Sequence, residues 1–157
     1  MIRLSRLTDY AVALLSHMGK EGEGKVWAAS NLADISGLPM PTVAKVLKLL
    51  AKSGLVGATR GASGGYRLAR PMAHVSVAEI IEAMDGPIAI TDCADGSLHD
   101  NCNVRSLCPL SQGWNRVNLV VRNALKDVSL QEMLTPQPLL LDKTDNQAGG
   151  ERFAAGE

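Results

Sequence analysis

The chain has 157 residues, 46% of them hydrophobic and only five aromatic, with 16 Lys plus Arg against 16 Asp plus Glu and a formal net charge of zero. That length suits one domain with a real core and a small appendage, and the apolar runs AVALL and PLLL are far too short to cross a bilayer. No apolar signal-peptide core precedes a small-residue cleavage site, so the expectation is a cytoplasmic protein with no membrane partner.

Zero charge is the sum of two opposed halves. Residues 1–70 carry ten basic and four acidic side chains, giving +6, while residues 71–157 carry six basic and twelve acidic ones, giving −6. Such asymmetry points to a part that faces nucleic acid and a part that stays off it. With aromatics scarce, the core must be built from Leu, Val, Ile, Ala and Met, which favours helices.

A first helix is predicted over 4–18, where Leu7, Ala11, Val12, Leu14, Leu15 and Met18 recur at helical spacing, with Ser5 as N-cap and Gly19 as the stop. After the polar loop KEGEGK, a short second helix is predicted over 28–36, ending at Gly37, and a third over 40–53, ending at Gly54. In the third, Val43, Val46, Leu47 and Leu50 form the stripe to be buried, while Thr42, Lys45, Lys48 and Lys52 fall close to one opposite face. A lysine face alone is most often merely solvated. Here, however, a short helix and Ser36-Gly37-Leu38-Pro39 precede it, which is the spacing of a helix-turn-helix.

Two short strands are then predicted over 55–60 and 66–68, joined by Gly61-Ala62-Ser63-Gly64-Gly65, residues that tolerate positive φ. A basic hairpin directly after such a helix is the wing of a winged helix, and this one carries Arg60 and Arg67, with Arg70 just beyond. The glycines make a poor phosphate cradle, because no Gly-Lys-Ser/Thr ending and no helix follows them.

A helix over 75–84 is closed by Asp85-Gly86-Pro87, and a polar loop over 88–108 holds every cysteine. A long helix over 110–128 shows Leu110, Trp114, Val117, Val121, Leu125 and Val128 in three- and four-residue steps, widened by Leu119 and Val120. It reads either as a core helix or as a dimerisation helix pairing with its two-fold copy. A short helix over 129–134 and a disordered tail over 135–157 complete the chain. The expected fold is therefore mainly α. Residues 1–87 form a winged helix-turn-helix DNA-binding domain, 88–109 a cysteine-rich cluster loop, and 110–134 the dimerisation helix with its short successor.

Cys93, Cys102 and Cys108 lie within 16 residues and are the only cysteines. Thiolates are soft ligands, suited to zinc or iron-sulfur clusters. The spacing C-x8-C-x5-C has no C-x2-C chelate and matches no common ferredoxin pattern, so it speaks for a metal more than for which metal.

The opening MIRLSRLTDYA, the helix-turn-helix, the wing segment RGASGGYRL and the three-cysteine loop together resemble the IscR/NsrR family of bacterial winged-helix iron-sulfur regulators over roughly residues 1–134. Within it the opening is most similar to regulators of the SUF iron-sulfur assembly system. The resemblance implies a homodimer gripping a palindromic DNA operator, with a cluster, 2Fe-2S or else 4Fe-4S, held by Cys93, Cys102 and Cys108. It also implies that Arg60 enters the minor groove and that Thr42 and Lys45 face the major groove. Asp9, in Thr8-Asp9-Tyr10, matches a position whose carboxylate reaches the cluster from the other subunit. Ser111 stands where IscR-type proteins place a histidine, so the fourth ligand is Asp9, His99, Ser111 or an external molecule. Ala44 replaces an acidic specificity residue, so operator preference does not carry over.

Lys48 and Lys52, further along the helix, suit phosphate contacts, and Arg67 on the wing is a further candidate DNA-binding residue. The combined expectation is a cytoplasmic repressor of SUF-type genes, with no small-molecule substrate, that senses cluster status. The alternative is a winged-helix regulator sensing redox state or nitric oxide through its cysteines, with zinc or no metal. An enzyme with a cysteine nucleophile is disfavoured, since no histidine stands in a partner motif.

Overall fold

The structure, a computed structural model, describes residues 3–22, 24–61, 64–91 and 110–135. Helix α1 (Arg6–Lys20) starts at Ser5, whose Oγ accepts the Thr8 N–H at 3.3 Å, and buries Ala11, Leu14, Leu15 and Met18. Gly19 is not its stop. The helix runs one residue further, the Glu21 N–H bonds back to the Gly19 carbonyl, and the chain turns at Gly22, with φ 104°. Gly19 lacks a side chain for another reason: a Cβ there would overlap the end of Met72.

Helix α2 (Ala29–Ser36) ends at Gly37, whose φ of 67° is left-handed, and α3 (Met40–Lys52) follows after Leu38 and Pro39. Pro41 sits in the first turn of α3, where a missing N–H costs nothing. Its buried residues are Val43, Val46, Leu47 and Leu50, the stripe expected from the sequence. Strands β1 (Val56–Thr59) and β2 (Gly65–Leu68) pair antiparallel, Val56 opposite Leu68 and Thr59 opposite Gly65. Trp27, within a stretch whose sequence suggests only a loop, adds a bridge to Tyr66 through N–H···O bonds of 2.7 and 2.8 Å.

After a 3-10 turn at Met72–His74, α4 spans Val77–Asp85. It starts two residues later than apolar spacing predicts, because Ser76 is the N-cap of a capping box closed by Glu79. Helix α5 (Ser111–Lys126) leads to α6 (Leu130–Leu134), which begins with a second capping box, Ser129 and Glu132. The two boxes share a pattern, VSVAE and VSLQE, and pair antiparallel. The Val77 N–H donates to the Val128 carbonyl at 2.9 Å, and the Leu130 N–H to the Val75 carbonyl at 2.8 Å. This clip fixes the end of α5, and fully buried Leu130 joins the single core shared by α1, α2, α3, β1 and α4. The fold is mainly helical with a two-stranded hairpin.

Candidate nucleic-acid interface and cysteine segment

Because α3 spends its apolar stripe on the core, the opposite side is left to solvent. Lys45, Lys48 and Lys52 are exposed there, and Thr42 is half-buried. The first turn of α3 carries no acid and shows Pro39, Met40, Pro41 and Ala44 to solvent. Arg60 and Arg67 are exposed on the hairpin, where Arg67 lies across from Gly57 with its Cγ and Nε 3.6 Å from the place a Cβ on Gly57 would take. Among the described residues from 24 to 70, Asp34 is the single carboxylate against seven Lys and Arg.

Two of those cations are spoken for. The Lys25 ammonium pairs with Glu21 and sits 4.0 Å above the Trp27 ring, and Arg70 donates to Glu79. Burial alone would raise the Glu79 carboxyl, but hydrogen bonds from Ser76 and the Arg70 partner hold it below the usual range. Arg70 thus ties the end of the wing to α4.

Loop glycines have separate duties. Gly61 takes a φ of 117°, whereas Gly64 and Gly65 do not adopt positive φ. A Cβ on Gly64 would strike the Thr59 carbonyl and the Arg60 backbone, and one on Gly65 the Trp27 backbone. These two permit close approach of chains.

Cys93, Cys102, Cys108 and His99 lie outside the described residues. Asp9 sits exposed in the first turn of α1, and Ser111 opens α5. Among the described residues no group of three or more His, Cys, Asp or Glu comes together to hold a metal.

What the structure does place are the two flanks of the cysteine segment. On one side, the Thr8 hydroxyl donates to Asp85 Oδ2 at 2.9 Å and the Ser5 N–H to the same oxygen at 3.1 Å, joining α1 to the end of α4. On the other, the Asn118 side chain accepts from the Ile90 N–H at 3.1 Å and donates to the Ile88 carbonyl at 3.0 Å. Arg122 Nε donates to Glu82 at 2.8 Å, and Val121 and Leu125 of α5 line a groove with Ile81, Pro87 and Ile88. Leu110, Trp114, Val117, Leu119 and Val120 stay exposed. Sequence reasoning missed Asn118, Asp85 and Trp27. The available signal for Asn118 was a lone amide inside Val117-Asn118-Leu119-Val120-Val121.

A model of the Rrf2 family, described as iron-dependent transcriptional regulators, matches residues 4–136. Among solved structures, the chain is similar to CymR (YrzC), the global cysteine regulator of B. subtilis, at TM-score 0.61 and 21% identity, covering 85% of this chain and 96% of that one. Staphylococcus aureus CymR gives 0.57 at 25% identity over 85% and 99%, and T. potens IscR 0.53 at 27% identity over 85% and 86%. No helix among the described residues is long and apolar enough to cross a membrane. With the family match spanning most of its length and the helix-turn-helix and wing in place, this chain belongs to the Rrf2 family of transcriptional regulators.

Proposed function

We propose that the chain is a cytoplasmic, homodimeric repressor of iron-sulfur assembly genes of the SUF type, reading a palindromic operator and sensing cluster status. The observation that carries DNA reading is the exposed cationic row Lys45, Lys48 and Lys52 on α3 together with exposed Arg60 and Arg67 on the hairpin, Asp34 being the single carboxylate among the described residues from 24 to 70. Thr42 and Lys45 meet base edges, Arg60 the minor groove, and Lys48, Lys52 and Arg67 phosphates. Three thiols suit a soft group, and the family description is iron-dependent, so an iron-sulfur cluster, 2Fe-2S by preference, is assigned to Cys93, Cys102 and Cys108. Asp9 is exposed in the first turn of α1, which suits a carboxylate offered to the partner subunit. When bound, the cluster supplies redox and oxygen sensitivity; the chain's own residues supply the thiolates and the DNA contacts.

Anaerobic purification is expected to give a brown protein containing iron and acid-labile sulfide, with visible absorption that disappears in Cys102→Ala. A colourless, iron-free protein with full operator binding sinks the cluster assignment. A second reading, direct thiol sensing, is favoured by the similarity to CymR, one S. aureus form of which was solved oxidized. Zinc at one per chain without sulfide, or reversible thiol oxidation that alters DNA affinity, would establish it instead.

A further inference from the structure

Helix α5 inverts the usual order of burial. Leu119 and Val120 are 56% and 62% exposed, whereas the neighbouring polar residue, Asn118, is 8% exposed. Its amide explains the inversion. In extended backbone the carbonyl of one residue and the N–H of the second residue on point the same way, so a primary amide can bond both as a neighbouring strand would. Asn118 does this to Ile88 and Ile90, at 3.0 and 3.1 Å. Asp at this position has no donor, Leu has neither group, and Ser has a single oxygen.

These bonds are placed where the cysteines meet the fold. Cys93 follows Ile90 by three residues and Ser111, the first residue of α5, follows Cys108 by three. Asn118 therefore ties the N-terminal base of the cysteine segment to α5, seven residues beyond the helix start at Ser111, and the three residues from Ile90 to Cys93 span at most roughly 10 Å. We propose that Asn118 is a positioning residue of the cysteine segment, holding its base and passing its displacement to α5. From α5 the path continues through Arg122 to Glu82 on α4, and from Asp85 of α4 to Thr8 and Ser5 of α1. Helix α4 also packs against the DNA-facing helix α3. The inference rests on the reading that the cysteines are the sensor.

The test uses the full chain and a DNA duplex selected by the wild-type protein from a randomised library. Asn118→Leu removes both bonds from the helix side. Ile90→Pro removes the loop-side donor without touching α5, and the double variant closes a mutant cycle. Affinity is measured for the reduced apo-protein and the cluster-loaded protein. Alkylation rates of the reduced cysteines by iodoacetamide give a second readout that needs no cluster.

Wild type should show a ratio between the two states of about tenfold, within the ordinary range of site-to-site coupling. Asn118→Leu should bring the ratio near one, leave the affinity of the apo-protein within about twofold, and speed alkylation. Ile90→Pro should do the same in part, and the double variant should add nothing to Asn118→Leu. Should Asn118→Leu not fold, Asn118→Ala, which likewise has neither donor nor acceptor, takes its place in the cycle. A wild-type ratio retained in these variants, or strictly additive effects, overturns the role of Asn118. A ratio of one in the wild type itself, with clusters loaded, overturns the sensing reading on which it rests.

Discussion

At the scale of single residues, the wing turn shows how one residue type serves two ends. Glycines at 61, 64 and 65 suggest a tip that needs positive φ, and Gly61 does use that freedom. Gly65 instead lies against the Trp27 backbone, where neither partner can yield as a flexible side chain would. Gly65→Ala is therefore expected to destabilise the protein by about 1–3 kcal/mol through overpacking. Urea unfolding measures this, and an unchanged midpoint would show that the backbone at Trp27 is able to shift.

Asp85 is the other instructive residue. Burial alone would raise its carboxyl, but hydrogen bonds from Ser5 and Thr8 hold it below the ordinary range. A carboxyl with a lowered native pKa adds stability above its unfolded value and loses it as pH falls through the native one. Stability of Asp85→Ala should accordingly vary less than wild type between about pH 5 and pH 2. Near neutrality the loss should stay under about 1 kcal/mol, since Asp85 is exposed and water screens it. Parallel pH profiles of the two proteins would refute the link. Nothing in the sequence announces it, because Thr8 and Asp85 are 77 residues apart and meet only when α1 packs on α4.

At the scale of elements, what was legible followed from local periodicity. The stripe of α3 could be read because a helix with one apolar edge can bury only that edge, and the lysines opposite it had to remain in water. The hairpin was read from turn residues between β-prone pairs, but Trp27 was missed as its third member. A bridge of one residue leaves no period to detect. The boundaries of α4 shifted because Ser76 bonds as a cap, a choice made between side chain and backbone rather than by apolar spacing.

The charged face makes its own prediction. Removing one side chain that meets a phosphate should lower the slope of log affinity against log salt by about 0.9. Lys48→Ala and Lys52→Ala are expected to do so and to weaken binding evenly across DNA sequences, whereas Arg60→Ala should also change which sequence is preferred. Fluorescence anisotropy over a salt series distinguishes these. Slopes unchanged in both lysine variants would mean that the far end of α3 does not meet the backbone.

At the scale of the whole molecule, the neutral chain divides into a basic half containing α3 and the wing and an acidic half containing the cysteines and α5. The apolar stripe of α5 was visible in sequence, but its partner was not, because a stripe states only that it will be covered. Within the chain, Val121 and Leu125 are half-buried along the α4 groove, while Trp114, Val117 and Val120 stay exposed. A second copy of α5 would remove that surface from water, and a two-fold pair would carry two reading heads to the two halves of a palindrome. In a two-fold contact every substitution occurs twice, so a carboxylate at Val120 brings two like charges into one desolvated seam while leaving the monomer core untouched. Val120→Glu is expected to convert the protein from dimer to monomer by light scattering at micromolar concentration, with its helical circular dichroism retained. Operator affinity should fall by at least about tenfold as the two-site advantage is lost. A Val120→Glu protein that remains dimeric and binds the operator as wild type does would place the interface elsewhere and leave the exposed face of α5 for another partner.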